Sequence, residues 1–310
     1  MLAQNEGVLS LFEFFSGIDQ FFAFRTDPVG GPELAERLSE DHPMLTMVLS
    51  RGYEVPEVAY PFDAPDVRYG RNDPIPWTLA IAVARLSDEP DALFDEMLDF
   101  ARAQPLQHLS IHYRSLLDWL TQHCGKQLWV EKSGNSMGLA PELKSFFPDA
   151  RFVHLRRQGY ETALSMREYA VLRLAVPVMY GELGVVEYSH EGLVAFERRN
   201  REAIDDILAS RPPIELYGRY WSEQVERGLP VLAQVDRGDV LDVCFEEMVT
   251  RPVEVLNEIA DFFEIVRGTW IDRAAALVKG LPPSRFDQLD SDEQRRLREA
   301  CRPGMVLLED

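Results

Sequence analysis

The stretch Phe147-Pro-Asp-Ala-Arg-Phe-Val-His-Leu-Arg-Arg-Gln-Gly-Tyr-Glu-Thr-Ala-Leu-Ser-Met166 constrains this chain more than any other. Arg151 to Leu155 is a short β-prone run, bounded by Pro148-Asp149 before it and Gly159 after it. From Tyr160 to about Ala175, the residues Ala163, Leu164, Tyr169, Val171, Leu172 and Leu174 recur at mostly helical spacings, so a helix is expected there. A strand, a turn carrying arginines and a helix direct loop side chains and helix amides to the carboxyl edge of a sheet, where anionic ligands bind. Arg157 can offer a planar fork to a phosphate, with Arg156 beside it, and Ser165, eight residues on, can add a hydroxyl donor. Taken singly, Arg157 reads better as a solvated loop arginine and Ser165 as an ordinary helix-surface serine. Their spacing behind this strand favours an anion site.

This segment resembles the 3′-phosphate-binding motif of the sulfotransferases that use 3′-phosphoadenosine 5′-phosphosulfate (PAPS), roughly F-P-x-A-R/K-F-V/I-H-L-x-R-D-G/P-x-D-x-x-x-S. The chain keeps Phe147, Pro148, Ala150, Arg151, Phe152, Val153, His154, Leu155, Arg157, Gly159 and Ser165, and departs at Gln158 and Glu161, where aspartates are usual. Leu128-Trp-Val-Glu-Lys-Ser133 is similar to the W-V-E-K-T strand end of many bacterial members, and residues 239–256 to their V-x-Y-E-D-L-V-x-D-P-E strand and helix. Phe245 stands where that pattern has tyrosine, Thr250 is a candidate helix cap, and Pro252 suits a first helical turn. The resemblance covers most of residues 127–265 and fades on both sides. It implies an α/β fold with a P-loop-NTPase-like parallel sheet flanked by helices, and a 3′-phosphate held by Arg157 and Ser165 with Arg156 nearby.

Members of that family open with a strand and a glycine-rich G-x-x-R/K-S-G-T/S-T loop that wraps the 5′-phosphosulfate. Here residues 1–15 read as the helix that follows such a loop, ending in Glu13-Phe14-Phe15. The expectation is therefore that the first strand and phosphate loop are missing from the chain as given. Losing about three charge-assisted hydrogen bonds, each worth about 1.5–3 kcal/mol, would weaken donor binding strongly. Lys132-Ser-Gly-Asn-Ser-Met-Gly138 has a K-S-G core, but such a match is weak alone, and a strand-end lysine facing the cleft is the preferred reading.

The chain has 310 residues, 46% of them hydrophobic, enough for one elaborated domain spanning residues 1–310. A formal net charge of −20 disfavours nucleic acid and anionic membranes as partners, and Arg151, Arg156 and Arg157 form the local exception. Three scattered cysteines show no metal or disulfide pattern, and Cys244 reads as a small buried residue. His108 and His112 would share a helix face without a third ligand, so no metal is expected. No signal peptide or membrane span is legible, which favours a cytoplasmic protein. Self-association stays open.

Residues 1–25 read as helical and then irregular. Residues 26–76 are rich in proline, glycine and acid, and with the helices expected at 77–87, 90–103 and 106–123 they form an acceptor or lid region over residues 26–123. Further helices are expected at 190–210 and 213–234, and a charged surface helix opens with a Ser291/Gln294 capping box.

The implied chemistry is transfer of a sulfuryl group from PAPS to a hydroxyl or amine of a small-molecule, carbohydrate or lipid acceptor, by positioning and charge stabilisation. Glu13 is the candidate base, against the alternative of a loop glutamate between aromatics. Lys132 is the candidate cation near the leaving group, against a surface pair with Glu131. Lys279-Gly280 and Arg285 are similar to the loop that covers the nucleotide, or are simply a polar loop. The competing class is a non-catalytic binding or scaffold protein on the same fold. A nucleotide kinase is disfavoured, since no Walker lysine loop can be named.

Overall fold

The computed structural model describes residues 1–19, 21–134, 136–181 and 189–309. It is a mixed α/β fold, mostly helical, with small parallel sheets. The strands are β1 (Val8–Phe12), β2 (Leu128–Lys132), β3 (Phe152–Arg156) and β4 (Val240–Cys244). Before β2 come α1 (Gly31–Leu38), α2 (Pro43–Leu49), α3 (Pro90–Arg102) and α4 (Leu109–His123), and α5 (Ala140–Phe146) precedes β3. Then follow α6 (Gly159–Glu168), α7 (Ala170–Met179), α8 (His190–Arg199), α9 (Arg201–Ala209) and α10 (Ile214–Leu232). After β4 come α11 (Phe245–Thr250), α12 (Pro252–Phe262), α13 (Thr269–Ala275) and α14 (Ser291–Glu309).

β1 runs parallel to β2, with Val8 opposite Leu128 and Phe12 opposite Lys132. β3 runs parallel to β4, with Phe152 opposite Val240 and Arg156 opposite Cys244. Parallel pairing demands a long crossover, supplied by α1–α4 in the first pair and α6–α10 in the second. One parallel sheet was expected. The described strands instead form two separate ladders, with side chains between them: the Trp129 ring of β2 meets Phe147, just ahead of β3, edge-on at 5.4 Å.

The helical reading of residues 1–25 is corrected, since Val8–Phe12 form β1. Val8, Leu9 and Leu11 are all buried, and a near-continuous apolar run is what a strand covered on both faces requires. The turn after β1 contains no lysine or arginine; the first basic residue of the chain is Arg25.

Two expected helices are each divided. The break at Tyr169 separates α6 from α7, and the Arg173 guanidinium donates to the carbonyls of Arg167 and Glu168 that the break frees. Asn200 separates α8 from α9. The 77–87 stretch forms a π-type turn at Thr78–Ala82 and a 3₁₀ turn at Val83–Arg85. Residues 26–123 are built into the main core through Leu34, Met44, Leu79, Phe94, Tyr113 and Leu117, among others.

The helix expected as a charged surface element, α14, buries Leu297 and Cys301 against Tyr217 and Trp221 of α10. Its first amides, Asp292 and Glu293, are capped by the Asp290 carboxylate, so Asp290 rather than Ser291 does the capping. Thr250 likewise turns inward, donating to the Glu246 carbonyl within α11, while Pro252 does open α12. His108 caps α4, and the buried His112 bonds the Val29 carbonyl at 2.8 Å. No helix among the described residues is long and apolar enough to cross a membrane.

The entry of α6 against α10 is tight: a Cβ at Gly159 would sit 2.6 Å from the Trp221 ring. Overpacking of this kind costs about 1–3 kcal/mol. Gly159→Ala should lower the urea midpoint accordingly; an unchanged midpoint would show that this junction is loose.

Candidate functional site

Arg156 and Arg157 leave the carboxyl end of β3, and Glu246 lies in the first turn after β4. The Arg157 guanidinium stacks over the Phe245 ring, 4.4 Å from its centroid. Phenylalanine at this position therefore supplies a π face in place of a hydroxyl. Burial lowers the Arg157 pKa from its ordinary value, and the neighbouring Arg285 adds to the shift, while Glu161 and Glu246 oppose it. No carboxylate lies within salt-bridge distance of Arg157 among the described residues.

Gln158 caps α6: its side-chain oxygen accepts from the Glu161 amide at 3.1 Å, the task a short aspartate also performs. Its own amide donates to Glu246 at 3.3 Å, and the Cys244 thiol donates to the same carboxylate at 3.0 Å. Cys244 is thus half-buried and hydrogen-bonded rather than a plain core residue. Glu161 accepts from the amides of Arg285 and Phe286 at 2.8 and 2.9 Å and from Arg285 Nε at 3.0 Å. These bonds hold its carboxyl below the usual range against the opposing effect of burial. The Tyr160 and Phe286 rings stack at 4.5 Å. The segment around Arg285 is thereby fastened to α6.

A pocket of about 140 Å³ results, lined by Arg156, Arg157, Gln158, Glu246 and, from α14, Met305 and Leu308. It is smaller than the roughly 300–1,000 Å³ of a whole-ligand site. Ser165 is exposed on α6 and is not part of the lining. The structure thus brings Arg156 and Arg157 into one pocket, with Arg285 near enough to Arg157 to repel its charge, and leaves Ser165 outside the lining.

The other two candidates meet at the ends of the first ladder. Lys132 Nζ lies 2.7 Å from Glu13 Oε1, so Lys132 pairs with Glu13 and not with Glu131. Alternation along β2 separates the neighbours: Lys132 is half exposed, whereas the Glu131 carboxyl is buried on the other face. Glu13 also accepts from the Gly134 amide at 3.1 Å and the Ser16 hydroxyl at 2.8 Å. Asn135, in the same loop, lies outside the described residues.

Glu131 Oε1 accepts from the Phe14 amide at 2.9 Å and from the Ser133 hydroxyl at 2.5 Å. Burial pushes its carboxyl up to about 7, the nearby Glu13 pushes the same way, and these hydrogen bonds oppose the shift. Sequence reasoning missed Glu131, Ser16, Gly134 and Glu246 as parts of these clusters; only W-V-E-K as a strand end pointed towards them.

The sign of the linkage follows from a raised carboxyl. The folded chain retains a proton that the unfolded chain, with an ordinary value of 4.5, has released. Stability therefore falls as pH rises from about 4.5 to about 7 and then levels off, a total of about 3 kcal/mol. Glu131→Gln keeps the acceptor oxygen and removes the titration. It should be about 1–3 kcal/mol more stable than the parent at pH 8 and nearly equal at pH 5, by urea midpoints. A gap that does not change with pH would contradict the assignment.

Residues 78–208 match the model of the Sulfotransferase family. No curated protein matches the chain. Among solved structures, the chain is similar to the sulfotransferase domain from the curacin biosynthetic pathway, 12% identical, covering 96% of this chain and 89% of that one at a TM-score of 0.46. It is also similar to the sulfotransferase domain of the Synechococcus PCC 7002 olefin synthase, 14% identical, with 97% and 93% covered at 0.39. A third is sulfotransferase STF9 from Mycobacterium avium, 13% identical, with 96% and 70% covered at 0.39. The matched segment contains β2, β3, Lys132, Arg157 and Ser165, and over it the chain is recognised as similar to the sulfotransferase family.

Proposed function

We propose that this chain transfers a sulfuryl group from PAPS to a hydroxyl or amine of a small-molecule, carbohydrate or lipid acceptor in the cytoplasm. The observation that supports it best is Arg157, a guanidinium desolvated over Phe245 without a carboxylate partner, beside Arg156 and Arg285 in a chain of net charge −20. Two arginines at the end of β3, with Arg285 nearby in its pair with Glu161, suit a doubly charged phosphate. The pocket around Arg157 fits a phosphate group rather than a whole nucleotide, and α14 forms the wall that limits it.

When bound, the donor supplies an activated sulfur–oxygen bond. In this reading Arg157, with Arg156, holds the 3′-phosphate, and the exposed Ser165 hydroxyl adds a donor beyond the pocket. Lys132 is assigned to balance the negative charge growing on the leaving phosphate, and Glu13 to take the acceptor proton. Both lie at the carboxyl ends of β1 and β2, the edge where such sheets bind ligands.

A second reading, a non-catalytic binding protein on this fold, draws on the saturation of Glu13 by Lys132, Gly134 and Ser16 and on the absence of a basic side chain in the turn after β1. Both readings are tested by calorimetric titration with 3′-phosphoadenosine 5′-phosphate and by product formation from PAPS. Arg157→Ala should weaken nucleotide binding about tenfold to a hundredfold, as expected for losing one charge-assisted contact. An unchanged affinity would remove Arg157 from the site. Tight binding with no sulfated product across an acceptor panel would favour the binding protein.

A further inference from the structure

We infer that Lys132, Gly134 and Ser16 form an oxyanion-binding cradle in which the Glu13 carboxylate is the resident occupant. Three donors from two segments, the turn after β1 and the end of β2 with its turn, converge on that carboxylate. Lys132 Nζ, at the end of β2, reaches Oε1 at 2.7 Å. The Gly134 amide, in the turn after β2, reaches both oxygens at 3.1 Å, and the Ser16 hydroxyl, in the turn after β1, reaches Oε2 at 2.8 Å. An ammonium, an amide and a hydroxyl around one point are the donor set that recognises sulfate or phosphate, and a carboxylate is a smaller member of the same acceptor class.

The cradle does not depend on the side chain that fills it. Backbone bonds fix residue 13 from both sides: its amide donates to the Lys132 carbonyl at 2.8 Å, and its carbonyl accepts from Trp77 Nε1 at 2.7 Å. Those bonds hold Glu13 at φ 50°, a left-handed conformation that glycine adopts without penalty. Deleting the side chain therefore relieves strain, keeps the backbone of the turn in place and leaves the three donors without their present acceptor. The titratable groups whose charge is felt at Glu13 are Glu131, from the other face of β2, and, more remotely, Tyr169 between α6 and α7. Both are shifted upward, so below about pH 7 the Glu131 carboxyl is mostly protonated and adds little repulsion to an incoming anion. Lys132 is half exposed, which gives an ion access from solvent. The inference rests on the sulfuryl-transfer reading in one respect, since Lys132 and Glu13 belong to that proposed site, and it adds which kind of anion the site holds.

The test is calorimetric titration of Glu13→Gly with inorganic sulfate and, separately, inorganic phosphate, at constant ionic strength, with the wild-type chain and the Glu13→Gly/Lys132→Ala double variant as controls. Glu13→Gly should bind at least one of the two ions at least tenfold more tightly than wild type, and the double variant should lose that gain. The stronger of the two titrations identifies the preferred oxyanion. Equal binding by wild type and Glu13→Gly, or none by either, would overturn the inference and leave an ion pair that merely ties two turns together. Should circular dichroism show Glu13→Gly unfolded, Glu13→Gln, which keeps the side-chain length and removes the charge, takes its place. A folded Glu13→Gln that binds neither ion better than wild type overturns the inference equally. Because no donor or acceptor is used, these results are separable from any failure of sulfated product to form.

Discussion

The bond from the Phe14 amide to the buried Glu131 carboxyl decides how the chain leaves its first strand. β1 and β2 are joined by backbone pairing up to Phe12 and Lys132, and beyond that point a side chain of β2 takes over the amide of the next turn. With Phe14 pinned, its ring and that of Phe15 pack against Tyr113 of α4, and Glu13 is turned towards Lys132. Burial beside Glu13 raises this carboxyl to about 7, so below that pH it takes up the task mostly in its neutral form, sparing the cost of a desolvated charge. The catalytic candidates at this end therefore inherit their positions from a residue that would touch no substrate.

The second ladder solves a parallel problem with other means. Gln158 caps α6 from within, and Glu161 reaches out to draw in the segment around Arg285. The departures from the aspartates of the sulfotransferase pattern thus have structural work of their own. The longer Glu161 spans a gap to Arg285 and Phe286 while its neighbour keeps the helix entry satisfied.

What the sequence disclosed was mostly local. The run from Phe152 to Arg156 and the helix from Gly159 were legible because their apolar spacing and their boundaries, Pro148 and Gly159, lie within a few residues of each other. β1 was not, because Val8 to Phe15 is compatible with either period and its partner lies about 120 residues away in the chain. The break at Tyr169 was hidden for a similar reason: the guanidinium that satisfies the freed carbonyls comes from Arg173, and nothing in the apolar pattern records it. Of the candidate site, Arg157 and Lys132 were recognised as types at strand ends. Their partners Phe245 and Glu13 required the fold to bring them near.

The contact between the Gly159 amide and Met305 Sδ, at 3.5 Å, has a thermodynamic meaning. A thioether is among the feeblest acceptors a protein owns, yet here it stops up the leading N–H of a helix. The Gly159 amide is therefore only lightly engaged, whereas the Glu161 amide two residues on is held by the Gln158 cap. Displacing one flexible methionine costs far less than breaking a salt bridge, so the resting chain guards this terminus with a stopper that is soft and easily dislodged.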